Sequence, residues 1–290
     1  MKALITGAAG QLGRALMDAV PEGWEATGLT RAELDLSDPS VIAREVEAHR
    51  PDAILNAAAY TAVDRAESDE SAAFAVNAAA VGAIAHAARA TGARLVHVST
   101  DFVFDGTSPR AYRPDDGRNP LSVYGRSKAA GEDAAGPAAA IVRTAWVYGA
   151  GGANFVNTML RLMRTRDEVR VVADQIGAPT WAAGLADTVW ALALGGHAGV
   201  FHHSDAGVAS WYDFAVAVQE EALALGMLER AVPVLPIATA DYPLPAHRPA
   251  FSLLDSAATR ALLGQAPTHW RVNLRHMLAQ QMAAERGDRS

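Results

Sequence analysis

Short apolar, β-rich runs alternate with stretches of helical periodicity through the first two-thirds of the chain. The runs predict strands near residues 2–6, 24–30, 53–58, 94–100, 139–146, 169–174 and 199–204. Between them, helices are expected over 11–20, 39–50, 72–91, 122–136 and 181–195. Ser37-Asp38-Pro39 is a sound start for the second of these, a capping side chain followed by proline in the first turn. Strands separated by helices of this length build βαβ units with right-handed crossovers. The pattern therefore predicts an α/β fold, a Rossmann-type doubly wound parallel sheet covered on both faces.

The pattern loosens after Tyr148. Gly149, Gly151 and Gly152 make a flexible joint, and a helix from Asn154 to Arg166 is expected to leave the sheet. Strands near 169–174 and 199–204 are expected to return to it. Five prolines between Val232 and Pro249 hold that stretch extended. Helices near 210–227, 256–264 and 269–284 complete a smaller C-terminal lobe, and the polar tail after Ala284 should fray. The predicted division is a large domain of residues 1–148 with returning segments about 169–205, and a lobe of about 149–168 and 206–290. No internal repeat is present.

The first strand ends at Gly7, Gly10 and Gly13 follow at three-residue spacing, and the helix from Gln11 opens toward that turn. A helix N-terminus offers unpaired N–H groups and partial positive charge, and glycines let a ligand approach the backbone. The junction suits the phosphates of a nucleotide; a tight structural turn is the plainer reading. Composition narrows the field. The 290 residues carry a net charge of −7 and no long basic run, against a nucleic-acid or anionic-membrane surface. With no cysteine, disulfides and thiolate chemistry are excluded, which fits a reducing compartment. No run of eighteen apolar residues predicts a membrane span, and the chain enters its first strand without room for a signal peptide, so a cytoplasmic protein is expected.

The end of the second strand selects the nucleotide in such folds. An acid there accepts both ribose hydroxyls and favours NAD; an arginine accommodates a 2′-phosphate. Here the strand ends Gly28-Leu29-Thr30-Arg31, which favours NADPH, with NADH still possible. Arg31 is otherwise a solvated arginine, and Glu33 stands close by. Asp35, with Leu36, either lies against the adenine or belongs to the loop before the Ser37 cap. At the third strand's end, Ala57-Ala58-Ala59-Tyr60-Thr61 leaves a flat floor for a dinucleotide or for tight helix packing.

The fourth strand ends Val98-Ser99-Thr100-Asp101, and Tyr124 and Lys128 follow four apart on a helix, facing the same way. A tyrosine with a pKa of about 10 is poorly matched to proton transfer. A neighbouring ammonium is expected to lower it. With Thr100 bonding the same oxygen, the three make a proton-donating centre for carbonyl reduction. Alone, the Tyr–Lys pair would be surface decoration. Asn77 either bonds backbone or water beside Lys128 or is a tolerated polar residue. His202-His203 lacks metal-ligand spacing, and no metal is expected.

These residues carry a family resemblance. The chain resembles the extended short-chain dehydrogenase/reductases, and within them the dTDP-4-dehydrorhamnose reductases. Matching segments include Gly7 to Gly13, Asn56 to Asp64, Ser99 to Gly106, Tyr124 to Lys128 and Arg143 to Tyr148. Asn154-Phe155, Asp174 to Thr180, Trp211-Tyr212-Asp213 and Arg248-Pro249 with Ser252 continue the match to about residue 275. The resemblance implies NAD(P)H-dependent reduction of a 4-keto dTDP-sugar, dTDP-4-dehydro-β-L-rhamnose, by a monomer or homodimer. Tyr124 would give the proton, Lys128 would bind the nicotinamide ribose, and Thr100 would orient the keto oxygen. Gly7, Gly10, Gln11, Leu12 and Gly13 would hold the pyrophosphate, Asp35 and Leu36 the adenine end. Ala58, Ala59, Tyr60, Thr61 and Val98 would line the cofactor's path. The smaller lobe would bind substrate. Asp101 and Trp146 would meet the deoxysugar, and Asn154, Gln175 and Arg248 would face its nucleotide. Trp146 has a plainer reading as a core tryptophan and Arg248 as a surface ion pair. Phe102 stands where many relatives carry tyrosine, so one phenolic hydroxyl is lost. A reductase or epimerase for another nucleotide sugar, and a non-catalytic NADP-binding regulatory subunit, remain the alternatives.

Overall fold

Residues 1–287 are described by the structure, a computed structural model of the chain. Its elements run β1 (Lys2–Thr6), α1 (Gln11–Asp18), β2 (Glu25–Leu29), α2 (Pro39–His49), β3 (Ala53–Asn56), α3 (Val63–Ala66), α4 (Glu70–Phe74) and α5 (Ala80–Thr91). Then follow β4 (Arg94–Thr100), α6 (Val123–Ala135), β5 (Ala140–Thr144), β6 (Val147–Tyr148), α7 (Phe155–Thr165), β7 (Val169–Val172), β8 (Ile176–Gly177), β9 (Thr180–Trp181) and α8 (Ala182–Gly195). The chain closes with β10 (Gly199–His202), β11 (Ala209–Ser210), α9 (Trp211–Ala224), β12 (Val234–Ile237), α10 (Ala257–Leu263) and α11 (Trp270–Gly287).

Six strands form one parallel sheet in the order β10-β5-β4-β3-β1-β2. Alternate residues explain its two covered faces. Leu4, Ile54, Leu95 and Ile141 point to one side and pack on Ile42 and Val46 of α2 and on Val81, Ile84 and Ala88 of α5. Ile5, Leu55, Val96 and Val142 point to the other, against Leu12 and Leu16 of α1 and Leu185, Val189 and Trp190 of α8. The strand order reverses at β1, between β2 and β3, which opens a crevice at the strands' carboxyl ends. The stretch Glu70–Thr91 is long and apolar enough to cross a bilayer, yet Ala80, Val81, Ile84, Ala85, Ala87 and Ala88 are buried in the core.

Two expectations are corrected. The strand near 169–174 does not return to the main sheet. β7 pairs in parallel with β12 inside the C-terminal lobe, where Val169 and Val171 are buried with Met159, Phe214, Val218, Trp270 and Leu274. An apolar run marks a strand but does not name its partner, and the partner here comes from the proline-rich stretch. The strand expected over 139–146 breaks after Thr144. Trp146 takes a left-handed backbone, φ 49°, and β6 then pairs with β9. β10 does join the sheet, at the edge beside β5. The helix expected over 72–91 carries a wider turn of π type at Ala75–Ala79. α11 continues to Gly287, past the expected start of the frayed tail. Residues 288–290 of the expected lobe lie outside the described residues.

Candidate active site

The crevice is a cleft of about 950 Å³ that starts at the β1–α1 turn. That turn is shaped by close backbone approach. Gly7 has φ 72°, and a Cβ there would meet Ala58 at 2.8 Å. A Cβ on Gly13 would collide with the Gly7 carbonyl, so Gly13 sets how closely α1 seats on β1 and does not line the cleft. Gly10 caps α1 with no side-chain hydrogen bond, which leaves the helix's first amides facing the cleft for an anion. Gly7, Gly10, Gln11 and Leu12 all line it.

Beyond β2, Arg31, Asp35 and Leu36 also line the cleft. Both nearby carboxylates are engaged locally. Glu33 Oε2 accepts from Thr30 N and Oγ1, each at 2.8 Å. Asp35 Oδ1 accepts from Ser37 N at 3.0 Å and Ser37 Oγ at 2.8 Å, which anchors the loop before α2 while Asp35 stays on the cleft wall. These bonds hold both carboxyls below the usual carboxylate range. Arg14, which sequence reasoning missed, is a second cation on this wall. Its signal was a basic residue in the first turn after the glycine loop.

Ala57 to Thr61 and Val98 line the floor of the cleft. Asn77 fixes it: its Oδ1 accepts from Tyr60 N at 2.8 Å, and its Nδ2 donates to Tyr60 O at 3.1 Å and Ser127 Oγ at 3.0 Å. The π-type turn carries this amide into place, binding the floor to α6. A lone asparagine in an alanine-rich helix was the signal, because a buried amide must find partners.

Thr100, Tyr124 and Lys128 all line the cleft, and the Thr100 hydroxyl contacts the Tyr124 phenol. β4 delivers Thr100. α6 delivers the other two one turn apart, started by Ser122, whose Oγ accepts from Gly125 N at 3.1 Å. Lys128 Nζ donates to Val98 O at 2.7 Å and lies 3.4 Å from His97 Nε2. Burial pushes Lys128 down to about 8 and Tyr124 up to about 12; contact with the Thr100 hydroxyl offsets part of the rise. The expectation that Lys128 lowers Tyr124 is therefore not met. Desolvation of the phenolate outweighs an ammonium that is turned to the Val98 carbonyl. The result is a phenol that keeps its proton, a donor rather than a base. Phe102 packs edge-on against Tyr124 with centroids 5.5 Å apart.

Asp101 is buried beside this group. Its Oδ1 accepts from Thr100 Oγ1 at 3.0 Å, and burial raises it to about 6, with the Ser252 and Thr100 hydroxyls offsetting part of the rise. Trp146 lines the cleft and stacks on Trp211, with centroids 3.7 Å apart and planes within 11°. Gly177 makes room, since a Cβ there would lie 3.0 Å from the indole. Trp211 was visible in sequence only within a matching segment. With Arg248, it joins the cleft to a second cavity of about 1060 Å³, bounded by α7, β7 and residues 242–248. Gln175 lines that second cavity and donates to Thr239 Oγ1 at 3.0 Å. Asn154 lines neither. It caps α7 through Asn157 N at 2.9 Å and donates to Gln11 Oε1 at 3.0 Å. Arg248 donates to Asp64.

A doubly wound parallel sheet with a Thr/Tyr/Lys group at its nucleotide crevice defines a short-chain dehydrogenase/reductase of the extended kind. A family model described as the RmlD substrate binding domain matches residues 1–283. The dTDP-4-dehydrorhamnose reductase of Aggregatibacter actinomycetemcomitans is 42% identical over 95% of this chain and 98% of its own length. That of Mycobacterium tuberculosis is 45% identical, over 95% and 92%. A crystal structure of the Bacillus anthracis dTDP-4-dehydrorhamnose reductase in complex with NADP superposes with a TM-score of 0.90 at 36% identity, covering 96% of this chain and 99% of that one. The chain belongs to the dTDP-4-dehydrorhamnose reductase family.

Proposed function

We infer that the chain reduces the 4-keto group of dTDP-4-dehydro-β-L-rhamnose to give dTDP-L-rhamnose, with NADPH as reductant. The observation that carries this is the placement of Thr100, Tyr124 and Lys128 on the wall of one cleft, beside a second cavity that shares Trp211 and Arg248 with it. A dinucleotide fits the first: its glycine turn would be filled by a Cβ, and its helix end is uncapped by any side chain. Gly7, Gly10, Gln11 and Leu12 would hold the pyrophosphate, with Gly13 supporting from behind. Ala58, Ala59, Tyr60, Thr61 and Val98 would lie under the rest. When bound, the cofactor supplies hydride.

The chain's own groups handle the proton and the positioning. Tyr124 donates to the carbonyl oxygen as it gains negative charge, and the Thr100 hydroxyl orients that oxygen. Lys128 holds the ribose. Asp101 and the Trp146 face, both on the cleft wall, meet the deoxysugar. The second cavity takes the nucleotide, with Gln175 and Arg248 on its wall. Asn154 acts through Gln11. The dinucleotide half comprises residues 1–148 with α8 and β10; the substrate half comprises 149–172 and the lobe from 206, with β7 reassigned to it.

The decisive experiment mixes the purified protein with the keto sugar nucleotide and NADPH. Loss of reduced-nicotinamide absorbance with formation of dTDP-L-rhamnose supports the reading; cofactor binding without turnover refutes it. Arg31 supplies a sharper check on the cofactor. Arg14 donates to the Ala9 carbonyl, and Glu33 and Asp35 accept from Thr30 and Ser37, so Arg31 is the cation assigned to a 2′-phosphate. Arg31→Ala is expected to raise the KM for NADPH roughly tenfold or more, leaving NADH unchanged. Equal loss for both cofactors in steady-state assays would remove the contact.

A further inference from the structure

We propose that Asp64 is a positioning residue for the substrate's pyrophosphate, acting through Arg248; this rests on the functional reading above. Asp64 lies on α3, immediately beyond the Ala57–Thr61 floor. Its Oδ1 accepts from Arg248 Nη1 at 3.0 Å and its Oδ2 from Arg248 Nη2 at 2.8 Å. The same Oδ1 accepts from Ala246 N at 3.2 Å, and Arg248 Nη1 also donates to Ala246 O at 3.1 Å. One carboxylate thus fixes both a guanidinium and the backbone of the segment that carries it.

A guanidinium has five N–H bonds. Nη1 spends two, on Asp64 and Ala246, and Nη2 spends one on Asp64. The Nε–H and the second N–H of Nη2 remain. They lie side by side on the guanidinium's free edge, a fork whose spacing matches two oxygens of a phosphate. Arg248 borders both the cleft and the second cavity, at the junction where a sugar nucleotide lying across the two would place its pyrophosphate.

The pair is only partly buried, with side-chain exposures of 20% for Arg248 and 36% for Asp64. It is therefore weak as a source of stability. Its value lies in orientation. An untethered arginine loses rotamer freedom when the substrate binds, and one already held has less to lose. The carboxylate also withdraws some attraction for a phosphate, so the two effects oppose each other and the sign of the change is informative. The tether also runs from the cofactor floor to residues 246–248, so the substrate cavity is shaped from the element that carries the dinucleotide.

Full-length Asp64→Asn, Asp64→Glu, Arg248→Lys and the Asp64→Asn/Arg248→Lys double variant test this in steady-state assays. Asp64→Asn is expected to raise the KM for the sugar nucleotide about tenfold, with kcat within twofold and NADPH affinity unchanged. Asp64→Glu should recover part of the loss. The double variant should be little worse than Arg248→Lys alone, because the carboxylate works through that guanidinium. An unchanged or lowered KM in Asp64→Asn, beside a raised KM in Arg248→Lys, overturns the proposal and leaves the functional reading standing. Parallel loss of NADPH affinity in Asp64→Asn also overturns it, by showing a structural role. No effect of Arg248→Lys on the sugar-nucleotide KM removes Arg248 from the substrate site and, with it, that part of the functional reading.

Discussion

Tyr124→Phe is expected to lower kcat for keto-sugar reduction by about 10²–10⁴-fold while leaving NADPH affinity and folding intact. That corresponds to about 3–5 kcal/mol of transition-state stabilisation. The substitution removes one hydroxyl and keeps the ring that packs on Phe102. It leaves no orphan, because Thr100 Oγ1 still donates to Asp101 Oδ1 and accepts from Phe102 N at 3.2 Å. Under the proposed function, cofactor binding is assigned to the glycine turn, the alanine floor and Lys128, so titration of NADPH should give an unchanged Kd. Retained turnover would remove Tyr124 from its role. The pH profile follows from the same geometry. A phenol pushed up to about 12 holds its proton across the neutral range and sets no limb there. Lys128, pushed down to about 8, loses its charge as pH rises through that value. Kcat/KM for NADPH should therefore decline above about pH 8, in the direction of lost ammonium, and a flat profile to pH 10 would remove Lys128 from ribose binding.

The parallel sheet and its crevice were legible because they depend on local pattern. An apolar run ending at Gly7 followed by a periodic helix can be assembled in few ways. Thr100 was legible for the same reason, as the last residue of a buried strand. What sequence could not supply was pairing between distant segments. The run at 169–174 reads as a strand in either lobe, and its partner, Val234–Ile237, contains Pro236 and reads as a connection. The electrostatics of the centre were misread on similar grounds. The four-residue spacing places Lys128 beside Tyr124, but burial of both groups, which depends on how α6 seats on the sheet, decides their protonation. Asn154 was marked for the substrate from its matching segment, yet a helix cap is the commonest use of an asparagine before a helix, and that is where its Oδ1 goes. Gln175 points to a finer division: it stands in the site region but in the second cavity, a distinction that depends on where the C-terminal lobe closes over the first domain.

The largest effect on stability is expected from Glu132→Ala, a residue on α6 that no motif marked. Its Oε1 accepts from Ser99 Oγ at 2.6 Å and Arg143 Nε at 2.8 Å; its Oε2 accepts from Arg143 Nη2 at 2.7 Å and Arg118 Nη1 at 3.2 Å. Glu132 and Arg143 are 3% and 4% exposed, so the pair is held in low dielectric. Truncation leaves the Arg143 charge buried with the Pro114 carbonyl at 3.1 Å, the Phe104 face at 5.0 Å, and His202. His202 offers no compensating negative charge; burial and the arginine itself push that imidazole down to about 4, so it stays neutral. Removing one partner of a buried pair costs about 3–5 kcal/mol, since the other charge is left uncompensated. A fall in Tm on the order of 10 °C follows for a chain of this size. The neighbouring Arg118–Asp133 pair provides the control: at 28% and 68% exposure it should contribute less than about 1 kcal/mol. Asp133→Ala should therefore melt with the unaltered protein. The carboxylate also ties Ser99, next to Thr100, to the helix that carries Tyr124 and Lys128, so the folded fraction of Glu132→Ala should show a lowered kcat. A melting temperature within about 2 °C of the unaltered chain would mean that the Arg143 charge reaches solvent once the carboxylate is gone, and that β4, β5 and α6 are held together by their apolar packing alone.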